Sequence, residues 1–242
     1  MDFSFSEEQE AVQDLAAQIF EGQATHERVR EVESGSERFD RDLWAELAKA
    51  NLLGIALPES VGGSGLGLIE ALLVLEEAAR RVAPVPLWPT IMLGALPVAE
   101  FGSEELQTEW LPGVIAGDTV LTGAFEEPGA NDQHFPSVTA EAADGGWRLS
   151  GAKPAVPVAH LAARILVSAR TGDGTIGVFL VDPTADGVTV TSEEATNRQI
   201  HGELTLDGAF VPDAEVLGDP TGGAEIVDWL LDRARLGLCA QQ

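Results

Sequence analysis

In residues 119–132, TVLTGAFEEPGAND, two acids, a proline and a glycine follow directly on an apolar run, a spacing that can present backbone donors to a ligand. Val120, Leu121, Ala124 and Phe125 read as a buried strand after the turn signal Gly117-Asp118. Glu126 and Glu127 end the run, and Pro128-Gly129 turns the chain, because Pro fixes φ and Gly tolerates φ > 0. N–H groups in such a turn lack ladder partners and can hold an anionic or carbonyl-bearing ligand. The same residues also suit an ordinary strand-to-turn junction. Elsewhere the spacing argues against familiar chemistry. The glycine-rich GGSGLG at residues 62–67 has neither the G-x-G-x-x-G spacing nor a following Lys-Ser or Lys-Thr, so it supports neither a dinucleotide fingerprint nor a P-loop. His26, His134, His160 and His201 show no metal spacing and are expected at the surface.

The elements that would position the 119–132 stretch begin with a helix. Ser6 and Gln9 form a capping box, Glu7 and Glu8 sit in the positive first turn, and Val12, Leu15, Ala16, Ile19 and Phe20 make one apolar face. A short polar helix is expected over 26–33. A second amphipathic helix from Asp40 carries Leu43, Trp44, Leu47 and Ala48 inward and ends near Leu53-Gly54. A long helix over 68–83 has wide apolar coverage from Ile69, Leu72, Leu73, Leu75 and Ala79, until Pro84, Pro86 and Pro89 stop it. Further helices are expected over 90–101 and, capped by Ser103, to about Trp110.

At Asp118 the hydrophobic period becomes alternating. Hairpins are expected where 138–142 and 147–150 flank Asp144-Gly145-Gly146, and where 165–169 and 176–181 flank 171–174, with further strands at 188–191 and 203–210. This spacing suggests a small barrel or sandwich. From Gly223 the helical period returns with Ile226, Val227, Leu230, Leu231 and Ala234, and runs to Gln242 without a stop signal, so the helix is expected to be cut short and to need partners from outside the chain. The fold class is therefore α+β: a helical domain over 1–117, a β domain over 118–218, and the first helix of an incomplete helical domain over 219–242.

Composition bounds the function. The chain has 242 residues, 45% of them hydrophobic, enough to bury a sizeable core. It carries 14 Lys plus Arg against 40 Asp plus Glu, a net charge of −26, which disfavours nucleic acid and anionic membrane surfaces. A local Arg or Lys or a helix N-terminus could still receive a small anion. No apolar run reaches the roughly 18 residues of a membrane span, and no signal-like segment opens the chain. One cysteine, Cys239, cannot form an internal disulfide. A soluble, unexported, cytoplasmic protein is expected.

Four stretches in this order resemble the first two thirds of an acyl-CoA dehydrogenase. GIALPESVGGSGLG (54–67) looks like that family's helix-to-loop segment, and EEPGAND (126–132) is similar to its T-E-P-G-A-G-S-D signature. LSGAK (149–153) is similar to its I-N-G-x-K strand, and AFVPDAEVLGD (209–219) to its V-x-V-P-x-x-x-V-L-G segment. The resemblance implies FAD against the β domain and α,β-dehydrogenation of an acyl-CoA, in which a base takes the α proton and the β hydrogen leaves as hydride. It also implies an electron-transfer acceptor protein and a homo- or hetero-oligomer, since the family includes α2β2 heterotetramers of steroid side-chain breakdown with unequal subunits. By position, the implied cofactor contacts are Phe125, Glu126, Gly129 and Ala130, with Ala155, Val156 and Pro157 from the family's W-[IV]-[ST] triplet; Asp132 is the implied substrate contact.

Departures from the pattern carry equal weight. Glu126 replaces the family's Thr, Asn131-Asp132-Gln133 replaces Gly-Ser-Asp, and Ala155 removes the aromatic wall. Pro157 has neither N–H nor hydroxyl to give a flavin. No catalytic base is assigned: the usual Glu lies past residue 242, and the alternative position in the first C-terminal helix falls on Ala234, with Asp232 and Arg235 nearby reading as solvated helix charges. A non-catalytic partner of the same fold is the alternative reading.

Overall fold

The computed structural model describes residues 4–129, 132–172 and 174–242. Helices come first: α1 (Glu7–Gln23), α2 (His26–Glu33), α3 (Arg41–Lys49), α4 (Leu68–Arg80), a π-helical segment (Pro89–Ala95), α5 (Leu96–Phe101) and α6 (Glu104–Ala116). Eight strands follow: β1 (Leu121–Ala124), β2 (Thr139–Ala143), β3 (Gly146–Pro157), β4 (Arg164–Gly172), β5 (Thr175–Val181), β6 (Val188–Glu194), β7 (Ile200–Pro212) and β8 (Val216–Leu217). The last element is α7 (Gly223–Ala240). Among the described residues no strand precedes Leu121, and no helix is long and apolar enough to cross a membrane.

The expected capping box of α1 is present, and α2 spans the expected residues. The buried face of α1 is narrower than expected. Val12, Ala16 and Phe20, spaced by four, are buried, whereas Leu15 is exposed, because the neighbours α3 and α4 cover only one stripe. Ile69, in the first turn of α4, is exposed for the same reason. Two helices end earlier than their apolar pattern. Asn51 follows α3 at φ +55° while Leu52 N–H reaches the Leu47 carbonyl, and Val82 follows α4 at φ +50° while Ala83 N–H reaches Ala78. Both are left-handed terminations that consume the last carbonyls, and only the first uses a residue at home there. The helix expected over 90–101 is a π segment running into α5, and α6 continues past Trp110 to Gly117, its left-handed cap.

All eight strands belong to one mixed sheet, ordered β6-β7-β3-β2-β4-β5-β8, with β1 parallel to β4. The hairpins are longer than expected, since β3 runs on to Pro157 and pairs with the whole of β7. Alternation along β4 and β5 sorts two cores. Ile165, Val167, Ala169, Phe179 and Val181 join the core inside the sheet, while Leu166, Val178 and Leu180 face the helical core. The π segment lies directly on β1: a Cβ on Gly94 would come within 2.4 Å of Leu121 Cβ. In contrast to expectation, α7 finds partners within the chain. Ile226, Val227, Leu230 and Ala234 pack into the helical core, leaving Leu236 and Leu238 exposed.

One ion pair anchors the start of α3. The buried Asp40 caps the helix by accepting from Leu43 N–H and receives Arg28 through Nε and Nη2, both at 2.7 Å. The guanidinium holds the Asp40 carboxyl below the usual carboxylate range, against the opposing effect of burial. A depressed carboxylate contributes stability above its unfolded pKa, and that contribution is lost as pH falls through the folded one. Asp40→Asn is therefore expected to lower urea stability by about 2 kcal/mol at pH 7. In urea titrations from pH 7 to 3, the gap from wild type should close as the pH falls.

Candidate functional site

The strand β1 sets the site. All four of its residues are buried, and Phe125 follows it directly, with its ring over Gly123: a Cβ there would meet Phe125 Cε2 at 2.4 Å. Glu126 is exposed, Glu127 turns inward, and Gly129 takes φ +70°, the left-handed turn value expected of it. Ala130, the fourth expected contact of this turn, lies outside the described residues.

A second strip comes from β3. Between the pairs Lys153↔Leu204 and Val156↔Gly202, β3 advances three residues while β7 advances two, which is a β-bulge. The extra residue re-aims Pro154 and Ala155, and Ala155 is exposed at φ +54°. This left-handed geometry costs a non-glycine residue about 1–2 kcal/mol, so the bulge needs anchors. On one side Thr122, fully buried on β1, donates its hydroxyl to the Pro157 carbonyl at 2.8 Å. On the other side the fully buried Lys153 pairs with Glu127 and donates to Ser168 Oγ on β4 at 3.0 Å. The Glu127 carboxylate also accepts Ser137 N–H at 2.9 Å and Ser137 Oγ–H at 2.5 Å. Burial pushes the Lys153 ammonium down, opposed by Glu127 and then Glu126.

These strips border one cavity of about 790 Å³. Phe125, Glu126, Ala155, Val156 and Pro157 all line it, so the structure brings together five of the eight expected contacts. Gly129 and Asp132 do not line it. Asp132 is turned to His134 instead, accepting from its backbone N–H and meeting its Nδ1, each at 2.9 Å. The opposite wall is helical and largely apolar: Val82, Leu87, Trp88 and Leu93, with Leu231, Ala234 and Leu238 of α7. Trp88 Nε1 donates to the Ala234 carbonyl at 2.9 Å, which fixes α7 against this wall. No carboxylate stands at residue 234, while Asp232 and Arg235 pair with each other at 3.4 Å and are both exposed.

The Lys153–Glu127 pair was missed from the sequence, although both residues lie in stretches already singled out. A lysine within a strand and a glutamate just past the end of another, 26 positions apart, are the signal that was available. The histidines also need correction: His160 and His201 are half-buried against the cavity, because the 197–201 segment folds over it and His160 Nε2 reaches the Glu37 carbonyl at 3.1 Å. Among the described residues no cluster of His, Cys, Asp and Glu could hold a metal. The glycine-rich 62–67 loop spends its N–H groups internally, Ser64 on Gly54, Gly65 on Leu57 and Leu66 on Ile55, which leaves no phosphate cradle there.

Comparison with known proteins matches residues 6–118 to the acyl-CoA dehydrogenase N-terminal domain. Acyl-CoA dehydrogenase FadE27 of Mycobacterium tuberculosis is 36% identical over 230 residues, covering 95% of this chain and 59% of that protein. The chain belongs to the acyl-CoA dehydrogenase family. Its fold is similar to the Tcur3481-Tcur3483 steroid ACAD G363A variant, with TM-score 0.89 and 48% identity over 97% of this chain and 62% of that one. It is also similar to the ChsE4-ChsE5 complex from Mycobacterium tuberculosis, with TM-score 0.91 and 34% identity over 100% of this chain and 64% of that one. The chain thus spans about three-fifths of the length of these relatives. A solved acyl-CoA dehydrogenase of this fold from Bacillus anthracis is complexed with FAD.

His134 also meets Asp228 of α7 through Nε2 at 2.9 Å, so both ring nitrogens face carboxylates and both bonds form only when both nitrogens carry protons. Asp132 is the first cause of its raised pKa, with Asp228 adding to it. The bridge therefore stabilises fully below the ordinary histidine pKa of about 6.5 and is lost as pH rises through the raised one. NMR titration is expected to place the His134 midpoint above 6.5, and Asp228→Asn to lower it.

Proposed function

We propose that this chain is a subunit, or the corresponding part, of a cytoplasmic FAD-dependent acyl-CoA dehydrogenase, and that its cavity is the flavin and acyl site. The observation that carries this reading is the convergence of Phe125 and Glu126, the bulge at residues 154–157, and Ala234 of α7 on one cavity. The bulge suits a flat ring pressed against backbone, because Ala155 presents only a methyl group and Val156 packs beneath. Phe125, Glu126, Ala155 and Val156 would hold the ring by backbone and van der Waals contact. Pro157 would contribute contact alone, since its carbonyl is already taken by Thr122 and it has no donor. Bound FAD would supply the acceptor for the hydride. The residues of this chain would orient the acyl group along the apolar wall of Val82, Leu87, Leu93 and Leu231 and exclude water from it.

The same cavity offers no carboxylate at residue 234, and on this reading the proton-abstracting base is supplied from outside residues 1–242, by a longer chain or by a second subunit. The steroid ACAD likeness makes a bulky alicyclic acyl-CoA the substrate class to try first, with an electron-transfer protein as acceptor. The three units at 1–117, 118–218 and 219–242 serve respectively as apolar wall, cofactor wall and lid of the site. The absence of a hydroxyl at 157 and of a carboxylate at 234 gives specific support to a second reading, a partner subunit of the same fold that does no chemistry itself.

The test is dehydrogenation of a steroid acyl-CoA with added FAD and an artificial acceptor. The 242-residue chain alone is expected to show no turnover, and a reconstituted complex to turn over at about 1 per second or faster. Turnover by the chain alone would mean a base within it, and a complex without flavin absorbance at this site would favour the second reading.

A further inference from the structure

We propose that Lys153 is a positioning residue: its buried pairing with Glu127 sets the separation and register of the two cavity strips, so a residue that does not line the cavity governs how tightly the cavity holds flavin. The inference rests on the flavin reading of the site. It concerns how the wall is held, a question the family resemblance leaves open.

Four segments meet at this pair. Glu127 lies one residue past Glu126, Lys153 two residues before Ala155, Ser137 just before β2, and Ser168 in the middle of β4. Neither Glu127 nor Lys153 lines the cavity, yet each adjoins a strip that does. Both side chains are at most 1% exposed. A charge so deep is tolerated only with a partner and further hydrogen bonds, and here the two serines supply those. The geometry asks for such an anchor. The bulge after Lys153 places Ala155 in a left-handed conformation, and an extended strand without the extra residue would swing residues 154–157 away from Phe125. Thr122 secures the far end of the bulge through the Pro157 carbonyl, and Lys153 secures the near end to the very turn that carries Glu126. The departures from the family pattern sharpen the point. With the side-chain donors at 126 and 157 gone, contact with the ring falls to backbone and van der Waals surfaces, whose strength depends on spacing.

The experiment uses the chain with its partner subunit and compares wild type, Lys153→Met, and Glu127→Gln with Lys153→Met together. Three quantities are read: the urea midpoint, FAD affinity by flavin fluorescence quenching, and backbone amide shifts at residues 125, 126, 155, 156 and 158. Lys153→Met alone leaves Glu127 buried and unpaired, and is expected to lower the midpoint strongly. The double variant removes both charges while keeping an acceptor and a donor for Ser137, and is expected to recover most of the midpoint. It should still bind FAD at least tenfold more weakly and shift the amides of both strips. A double variant with a wild-type midpoint, unmoved amides and unchanged FAD affinity would overturn the proposal, leaving the pair as core packing. If the wild type takes up no FAD in any assembly, the flavin reading fails, and the amide shifts alone then decide whether Lys153 sets the wall.

Discussion

The contact on which the site depends is the ion pair between Glu127 and Lys153, removed from water at the junction of β1, β3 and β4. Two charges in a dry interior gain little net stability over an apolar pair of the same shape, but breaking one partner is costly. What such a pair confers is geometry: it admits one arrangement of the strands that carry it. Here that arrangement brings a turn and a bulge to the same cavity wall. Thr122 completes the wall from β1, and the π segment, pressed on β1 through Gly94, joins the wall to the helices.

The division of labour across the cavity follows from the sequence on each side. The helical wall is built by prolines and aliphatic residues at 82–93, between the end of α4 and the π segment, so it is apolar and has few donors. The β wall is backbone-rich because a bulge and a strand end both expose peptide groups there. α7 closes the third side, seated by Trp88 on the Ala234 carbonyl and by Gly237 against the Trp88 ring, where a Cβ would approach within 2.8 Å. The apolar helical wall suits the acyl part of the proposed substrate, and the backbone-rich β wall suits a flat ring.

Much of this was legible in the sequence because it is local. The Ser6 capping box, the short helix at 26–33 and the change of period after Asp118 depend on neighbours a few residues apart, and all are found in the structure. Five of the expected contacts meet at the cavity, since motif positions preserve register. What was not legible depends on long-range partners. Leu15 and Ile69 look buried by period and are exposed because no neighbour covers them. Val82 ends α4 at a positive φ that its β-branched side chain would not suggest. Asp132 was expected at the substrate and is held by His134, a contact set by the path of a turn. Lys153 and Glu127 each had a place in a motif, but only the fold puts them together.

The proposed function requires flavin and acyl chain to sit in the cavity between β1, the bulge and α7. Hydrogen–deuterium exchange of the chain in its complex, with and without FAD and a steroid acyl-CoA, tests this directly. Exchange is expected to slow at residues 123–126 and 154–158 on adding FAD, and at residues 231–238 on adding the acyl-CoA. Protection confined to other segments, such as the glycine-rich loop at 62–67, with these three unchanged, would contradict it.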